Sequence, residues 1–253
     1  MGMIKNRGLI CDRPLRSPHH TISDVALIGG CSNPRPGEIS LAHNGVLFLD
    51  EFPEFRKNAL EALRQPLEDA KVVVSRAAMS VSFPTNVMLI AAANPCPCGY
   101  ATDPRHACSC SNYQIAQYKS RLSGPLLDRI DIHVDVPSLP WSDLSDDRRG
   151  ESSANIRARV KAARERQARR FADSGIFCNA RMPAPMVREH CRITEEGRRL
   201  LEKVVDRLGL SARAYDRILK LARTIADIDG AERIESIHLS EAVQYRVLDR
   251  HYN

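Results

Sequence analysis

The chain has 253 residues, room for one large domain or two ordinary ones, and its 43% hydrophobic and 27% charged residues exclude a disordered or fibrous protein. No run approaches the roughly 18 uninterrupted apolar residues of a membrane span, and residues 1–7 lack the apolar segment of a secretory leader, so the expectation is a cytoplasmic protein with no membrane partner. A net charge of +6 and a pI near 9.0 are too mild to identify a nucleic-acid partner by themselves.

Residues 1–24 read as turn-rich and basic, around Arg13-Pro14-Leu15-Arg16-Ser17-Pro18-His19-His20. Residues 25–44 read as short extended pieces about a Gly/Pro-rich tip at residues 29–37. Gly45-Val46-Leu47-Phe48-Leu49-Asp50-Glu51 follows. Its four apolar residues suit a central strand of a parallel sheet, covered on both faces and ending in two carboxylates. Residues 58–68 predict a helix with Leu60, Leu63 and Leu67 on one stripe, and Pro66 marks its stop or bend. Lys71-Val72-Val73-Val74-Ser75 and Met79-Ser80-Val81-Ser82-Phe83 predict a hairpin with Arg76-Ala77-Ala78 at the tip. Residues 87–93 predict a second fully buried strand, closing on Asn94-Pro95. Residues 113–122 read as helix, and the alternating residues 130–136 as a strand with one covered face.

Residues 139–150 read as a linker between an α/β portion (1–138) and an all-helical domain (151–253). In the latter, Ile156, Val160, Ala163 and Phe171 share one face of a basic helix. Thr194 is its next N-cap and Gly209 the following stop, Ser211 caps a helix carrying Ile218, Leu221, Ala222 and Ile225 that ends at Gly230, and a last helix runs from about residue 238 to 248. Arg148, Arg149, Arg157, Arg159, Lys161, Arg164, Arg166, Arg169 and Arg170 face only Glu151 and Glu165, so this stripe either neutralises phosphates or is a solvated helix face.

In an open parallel sheet, ligands bind beyond the carboxyl ends of the strands. Asp50 and Glu51 therefore stand where a nucleotide would sit: an Asp there can hold Mg²⁺ and the following Glu can polarise an attacking water. The plainer alternative is a strand that stops at two solvated acids. Asn94, at the end of the second strand, supplies an amide able to orient that water, although Asn-Pro is also a good turn former. Arg129 lies between a helix end and a strand, where it either reaches a neighbouring subunit's γ-phosphate or pairs with Asp128 or Asp131. Arg213 sits in the first turn of a helix, against the helix dipole, which favours a functional reason for it.

These residues resemble the ComM/YifB family of magnesium-chelatase-like AAA+ ATPases. The likeness is carried by residues 16–23, by residues 33–51 with Asn33-Pro34-Arg35-Pro36-Gly37 and the acidic strand, by residues 123–131, and by Ser211-Ala212-Arg213-Ala214-Tyr215. The resemblance implies an α/β fold, a partial AAA+ (P-loop NTPase-like) parallel-sheet core with inserted hairpins, followed by an all-helical lid. It implies that Asp50-Glu51 is the Walker B pair with Asp50 on magnesium, Asn94 sensor 1, Arg129 the arginine finger and Arg213 the sensor 2 arginine, together binding ATP and Mg²⁺. It makes segments 25–44 and 70–83 pore hairpins, with Arg35, Lys71 and Arg76 as DNA contacts. The implied parent is a hexameric ring that drives DNA branch migration on single-stranded or branched DNA without sequence specificity. The alternatives are the motor of a metal chelatase or of an ATP-dependent protease-like complex, or a non-catalytic interaction module. The chain contains no G-x-x-x-x-G-K-[ST]. The expectation is that the family's P-loop and Lon-like domain lie before Met1, and that this chain alone binds ATP weakly and does not hydrolyse it.

Cys96-Pro97-Cys98 and Cys108-Ser109-Cys110 form a C-x-C…C-x-C pattern able to close a tetrahedral Zn²⁺ site, with His106 as a substitute ligand. Reduced free thiols and disulfides are the alternatives. The other cysteines, Cys11, Cys31, Cys178 and Cys191, are scattered and expected to be reduced and structural.

Overall fold

Strands β1 (Leu15–Arg16), β4 (Val46–Leu49) and β7 (Met88–Ala91) form one parallel sheet in the order β1-β4-β7. The structure is a computed structural model that describes residues 12–30, 33–76, 79–138 and 150–246; the side chains of Arg76, Met79 and Leu208 are outside the described part. The chain divides into two compact units between Ile130 and Asp131.

In the first unit β4 pairs with both neighbours, Leu15↔Val46 and Arg16↔Leu47 on one side, Val46↔Met88 through Leu49↔Ala91 on the other. Gly45 makes the first pairing possible: a Cβ there would stand 1.9 Å from the Pro14 carbonyl oxygen, which accepts the Val46 amide at 2.8 Å. The apolar run of β4 is covered more completely on one face than on the other. Leu47 and Leu49 are fully buried, while Val46 and Phe48 are half-buried. Each fully buried Leu removes apolar area worth about 1.5–3 kcal/mol from water.

The second strand departs from its expectation of full burial. β7 is an edge of the described sheet, and Met88 (62%) and Ile90 (45%) are exposed. It has a neighbour on one side only among the described residues, so its apolar side chains lack the cover that a central strand receives.

Residues 25–44 are more helical than predicted. Helix α1 (Asp24–Ile28) is capped by Ser23, whose Oγ accepts from the Ala26 amide at 3.1 Å, and it buries Leu27. A two-residue ribbon, β2 (Gly29–Gly30) antiparallel to β3 (Arg35–Pro36), leads to α2 (Glu38–Leu41), which buries Ile39. After β4 a 3-10 turn (Phe52–Glu54) leads to α3 (Lys57–Ala62) and α4 (Arg64–Asp69). The single helix predicted over residues 58–68 is broken at Leu63, because Pro66 has no N–H to give to the Ala62 carbonyl. Strands β5 (Lys71–Arg76) and β6 (Met79–Pro84) make the predicted hairpin, with Val72 and Val74 buried and Val73 exposed; its tip, residues 77–78, lies outside the described residues. Strand β2 lies against β5, so the two ribbons are neighbours. Helices α5 (Asn112–Lys119) and α6 (Gly124–Leu127) close the unit.

The strand predicted over residues 130–136 does not form. His133 is buried, whereas Ile132, Val134 and Val136 are exposed, the reverse of the expected faces. An extended segment needs a neighbour to satisfy its backbone. Here the His133 amide donates to the Tyr245 carbonyl at 2.8 Å, with no described strand alongside.

The second unit is helical: α7 (Ser153–Arg170), α8 (Ala184–His190), α9 (Glu195–Leu208), α10 (Ala212–Asp229) and α11 (Ser236–Gln244). The predicted caps are in place. Thr194 Oγ1 accepts from Gly197 at 3.2 Å, Ser211 Oγ from Ala214 at 3.2 Å, and Gly209 (φ 59°) and Gly230 (φ 82°) end their helices in the left-handed conformation. The last helix stops at Gln244, and residues 247–253 lie outside the described part, as do the linker residues 139–149 with Arg148 and Arg149. The core gathers Phe171, Met182, Val187, Leu201, Ile218, Ala222, Ala226 and Leu239, with α10 touching α7, α8 and α11. On α7, Phe171 joins this core and Ala163 is buried, but Ile156 and Val160 are exposed. No described helix is long and apolar enough to cross a membrane.

Part of the basic stripe is structural. Arg170 forks onto the fully buried Asp227 at 2.7 and 2.5 Å, Asn179 Nδ2 donates to the same carboxylate at 2.8 Å, and Arg223 Nε adds a bond at 3.1 Å. Arg223 also caps the Glu232 and Ala231 carbonyls, and Arg166 donates to the Gly230 carbonyl at 2.9 Å. Burial pushes the Asp227 carboxyl up, but the bonds from Arg170 and Asn179 and the two guanidinium charges outweigh it and hold it below the usual range. Its stabilisation is therefore complete above the unfolded carboxylate value of about 3.9 and is lost as pH falls through the lower folded value. Asp227→Ala, which strands the buried Arg223 and the half-buried Arg170, should cost about 3–5 kcal/mol in urea unfolding at neutral pH. The gap to the parent chain should narrow as pH drops below about 4.

Candidate nucleotide site and cysteine centre

Because β1, β4 and β7 run parallel and in register, their carboxyl ends lie along one edge. β4 runs into Asp50-Glu51, β7 into Ala92-Ala93-Asn94, and β1 into Ser17-Pro18-His19-His20. Hydrogen bonds carry the β4–β7 pairing past the strands: Ala92 N donates to the Leu49 carbonyl at 2.9 Å and Phe52 N to the Ala92 carbonyl at 2.8 Å. Asp50 is thereby held beside Ala92, with Asn94 two residues farther along the neighbouring chain. Asp50, Glu51 and Asn94 are all exposed, and their hard oxygens suit a hydrated Mg²⁺.

The turn itself is built around the acids. Asp50 Oδ1 accepts the Glu51 amide at 2.9 Å, and Glu51 adopts a left-handed backbone (φ 51°, ψ 44°) that swings the chain into the 3-10 turn. His20 Nδ1 lies 2.8 Å from Glu51 Oε2, its ring 4.1 Å from that of His19 and edge-on to Phe55 at 6.4 Å. Nothing in the turn-rich sequence around His20 marks it for a role. The two-residue β1 that delivers it to this edge is too short to show a period. Arg16, at the end of β1, forks onto Glu38 at 2.6 and 2.7 Å, and that bond raises its pKa against the opposing effect of burial.

Of the two candidate phosphate arginines, Arg129 is held by neighbours within the first unit. Arg129 donates to the Arg64 carbonyl at 3.0 Å and the Pro125 carbonyl at 2.5 Å, and pairs with Glu68. It lines a cleft of about 500 Å³ with Glu61, Arg64, Gln65, Glu68 and Asp69. Asp131, one of the alternatives for its partner, instead accepts from Arg217 at 2.7 Å. Arg213 is exposed in the first turn of α10, in the second unit. Arg35 is exposed on β3 and Lys71 is exposed at the start of β5, while Arg76 ends that strand with its side chain outside the described part.

The four clustered cysteines converge. The Sγ atoms of Cys96, Cys98, Cys108 and Cys110 all lie within 4.8 Å of one another, with Cys96–Cys98 at 3.4 Å, Cys98–Cys108 at 3.5 Å and Cys96–Cys108 at 3.7 Å. Four sulfurs at about 2.3 Å from a tetrahedral metal stand about 3.8 Å apart, so the donor set fits such an ion. All four are free thiols rather than disulfides, as are the half-buried Cys178 and the buried Cys191; Cys11 and Cys31 lie outside the described residues. Burial pushes the Cys191 thiol up to about 11. His106 takes no part in the cluster. Its Nδ1 lies 3.2 Å from Asp103 Oδ2 and its ring packs 5.1 Å from Tyr100.

Comparison with known proteins places the chain in a class. The family described as magnesium chelatase, subunit ChlI, matches residues 1–144, and its C-terminal counterpart matches residues 150–246, so the chain belongs to the magnesium chelatase subunit ChlI family. Among individual proteins it is 46% identical over 239 residues to the competence protein ComM of Haemophilus influenzae, covering 94% of this chain and 46% of that protein. It is 47% identical over the same length to the uncharacterized protein YifB of Escherichia coli, with the same coverage, and 40% identical to the uncharacterized protein Rv2897c of Mycobacterium tuberculosis, of which it covers 47%. The chain thus spans about half the length of these relatives.

The four thiols are electrostatically unequal. The Tyr100 amide, followed by bonds from Cys96 and the Ser109 amide, lowers Cys98 to about 5 against the effect of burial. Cys108 is lowered by the Cys110 amide, yet desolvation and hydrogen bonds shared with Cys98 and Cys96 push it up to about 12. In metal-free chain treated briefly with iodoacetamide near pH 6.5, mass spectrometry should find Cys98 carboxamidomethylated first and Cys108 last, since the thiolate is the nucleophile.

Proposed function

We propose that this chain is the later half of an ATP-driven, magnesium-dependent motor that remodels DNA. The observation that carries the reading is the shared edge at which β4 delivers Asp50-Glu51 beside the Asn94 end of β7. Asp50 would hold the Mg²⁺ of a bound nucleotide, Glu51 would take up the proton of the attacking water, and Asn94 would orient that water. His20 would keep the Glu51 carboxylate in one orientation through the 2.8 Å contact. Bound Mg²⁺–ATP supplies the phosphoryl group and the charge neutralisation; the residues described here position, polarise and accept a proton. Arg129 would act on a phosphate of an adjoining subunit in a hexameric ring, which requires it to leave Glu68, and Arg213 would act from the lid.

The DNA client is supported by the likeness to the competence protein ComM and by the adjacent ribbons that carry Arg35 and Lys71. Branch migration of single-stranded or branched DNA is the reading that follows. The sulfur cluster is assigned to structural Zn²⁺, because four thiolates saturate a tetrahedral ion and leave no position for chemistry.

The chain has no G-x-x-x-x-G-K-[ST], and the amides and lysine of that loop are the main cradle for β- and γ-phosphates. By itself it should show no magnesium-dependent phosphate release in a malachite-green assay. In a protein that also carries such a loop, Glu51→Gln should keep nucleotide binding while lowering turnover by about 10²-fold or more; turnover at the parent rate would sink the hydrolytic reading. DNA binding should be non-specific, and Arg35→Ala with Lys71→Ala should weaken it equally on unrelated sequences in fluorescence anisotropy while flattening its dependence on salt, roughly one unit of slope per lost phosphate contact.

A further inference from the structure

We propose that the cysteine centre is a metal-dependent clasp that fixes Asn94 and α5 against the acidic end of β4, so that metal occupancy governs the order of the whole hydrolytic edge. This rests on the zinc reading above and goes beyond it, from the metal holding its own loop to the metal holding the site.

The loop has little else to hold it. Between residues 96 and 110, Cys96 alone is buried (0% exposed), and the rest are exposed or half-exposed. Its backbone bonds are local, Gly99 N to the Cys96 carbonyl at 3.0 Å and Asp103 N to the Tyr100 carbonyl at 3.1 Å. Fixing a backbone residue costs about 1–2 kcal/mol, and a loop that buries one side chain cannot offset that over its length. Thiolate–metal bonds can, since metal affinity in such loops appears directly as folding free energy.

Both ends of the loop are tied to the site. Upstream, Cys96 follows Asn94 by two residues, so the ion would anchor the chain just past the amide. Downstream, Cys110 immediately precedes Ser111, the N-cap of α5, where a capping box closes with Gln114 (Ser111 N to Oε1, 2.8 Å; Gln114 N to Ser111 Oγ, 3.3 Å). Helix α5 buries Tyr118. Its ring lies beneath the Arg121 guanidinium at 5.8 Å, and burial followed by the charge of Glu54 raises the phenol. Arg121 completes the circuit, donating to Glu54 Oε2 at 2.7 Å and to the Pro53 carbonyl at 3.3 Å, in the turn that follows Asp50-Glu51. A route of packed and bonded groups thus runs from the cysteines through α5 to the acidic turn.

The test uses the full chain. Zinc is quantified by mass spectrometry of the purified protein, removed with an organomercurial and chelator, and restored. Amide hydrogen exchange is followed in residues 88–95 and 112–122, with α10 as the internal reference. The clasp predicts one zinc per chain, exchange in both segments faster by on the order of tenfold after removal, unchanged α10, and recovery on re-addition. Arg121→Ala should keep the zinc while loosening residues 50–55 and 112–122, which a metal-ligand variant cannot separate from metal loss. Faster exchange confined to residues 96–110 would overturn the clasp and leave the zinc reading standing. Equal loosening of α10 would also overturn it, since the metal would then support the chain as a whole. Absence of zinc with four freely alkylated thiols would remove both readings.

Discussion

The register of β4 with its neighbours is the constraint on which the candidate site depends. Parallel strands end on the same side, so pairing Val46 through Leu49 with Met88 through Ala91 brings Asp50 and Asn94 to one edge without any bond between them. Pairing with Leu15 and Arg16 brings His20 to the same edge. That second pairing depends on the missing side chain of Gly45, because the Pro14 carbonyl occupies the space a Cβ would need. A one-residue slip would turn Leu47 and Leu49 from the covered face to the other and move the acids off the edge together.

Much of this was legible before any coordinates. The apolar run into Asp50-Glu51 identified β4, the alternating valines identified the β5–β6 hairpin, and Thr194, Gly209, Ser211 and Gly230 marked the helix ends of the second unit. These signals are local, set by burial period or by a single capping bond. What the sequence could not carry depends on company. Residues 130–136 alternate like a strand, but no described strand lies beside them, and His133 rather than the aliphatic residues turns inward. Met88 and Ile90 look like core residues, yet stand exposed at the edge of the described sheet. In the candidate site, Asp50, Glu51, Asn94 and the four cysteines are candidates by type and spacing, whereas the His20–Glu51 contact spans residues that only the β1–β4 pairing brings together.

Arginine is used in two ways along α7, and composition does not separate them. Arg157, Arg159 and Arg164 are exposed, with Arg159 paired to Glu151 at 2.6 Å and Arg164 donating to Gln167 at 3.4 Å. Arg166 and Arg170, a few residues farther along the same helix, are spent on the Gly230 carbonyl and on Asp227. The buried carboxylate gathers two guanidiniums and an amide, and so joins α7, the turn at Asn179 and the end of α10 into one polar knot inside an apolar core. Exposed charges of the first kind respond to ionic strength, while a desolvated cluster of the second kind is screened far less.

The left-handed backbone at Glu51 sets narrow terms for how this position can drift. Glycine, asparagine and aspartate accept such a φ most easily, but none of them reaches as far as glutamate with a carboxylate. Glutamine matches that reach yet surrenders the charge and keeps the strain. Backbone comfort favours a different residue here from the one that the proposed chemistry would favour, and the residue present is the latter.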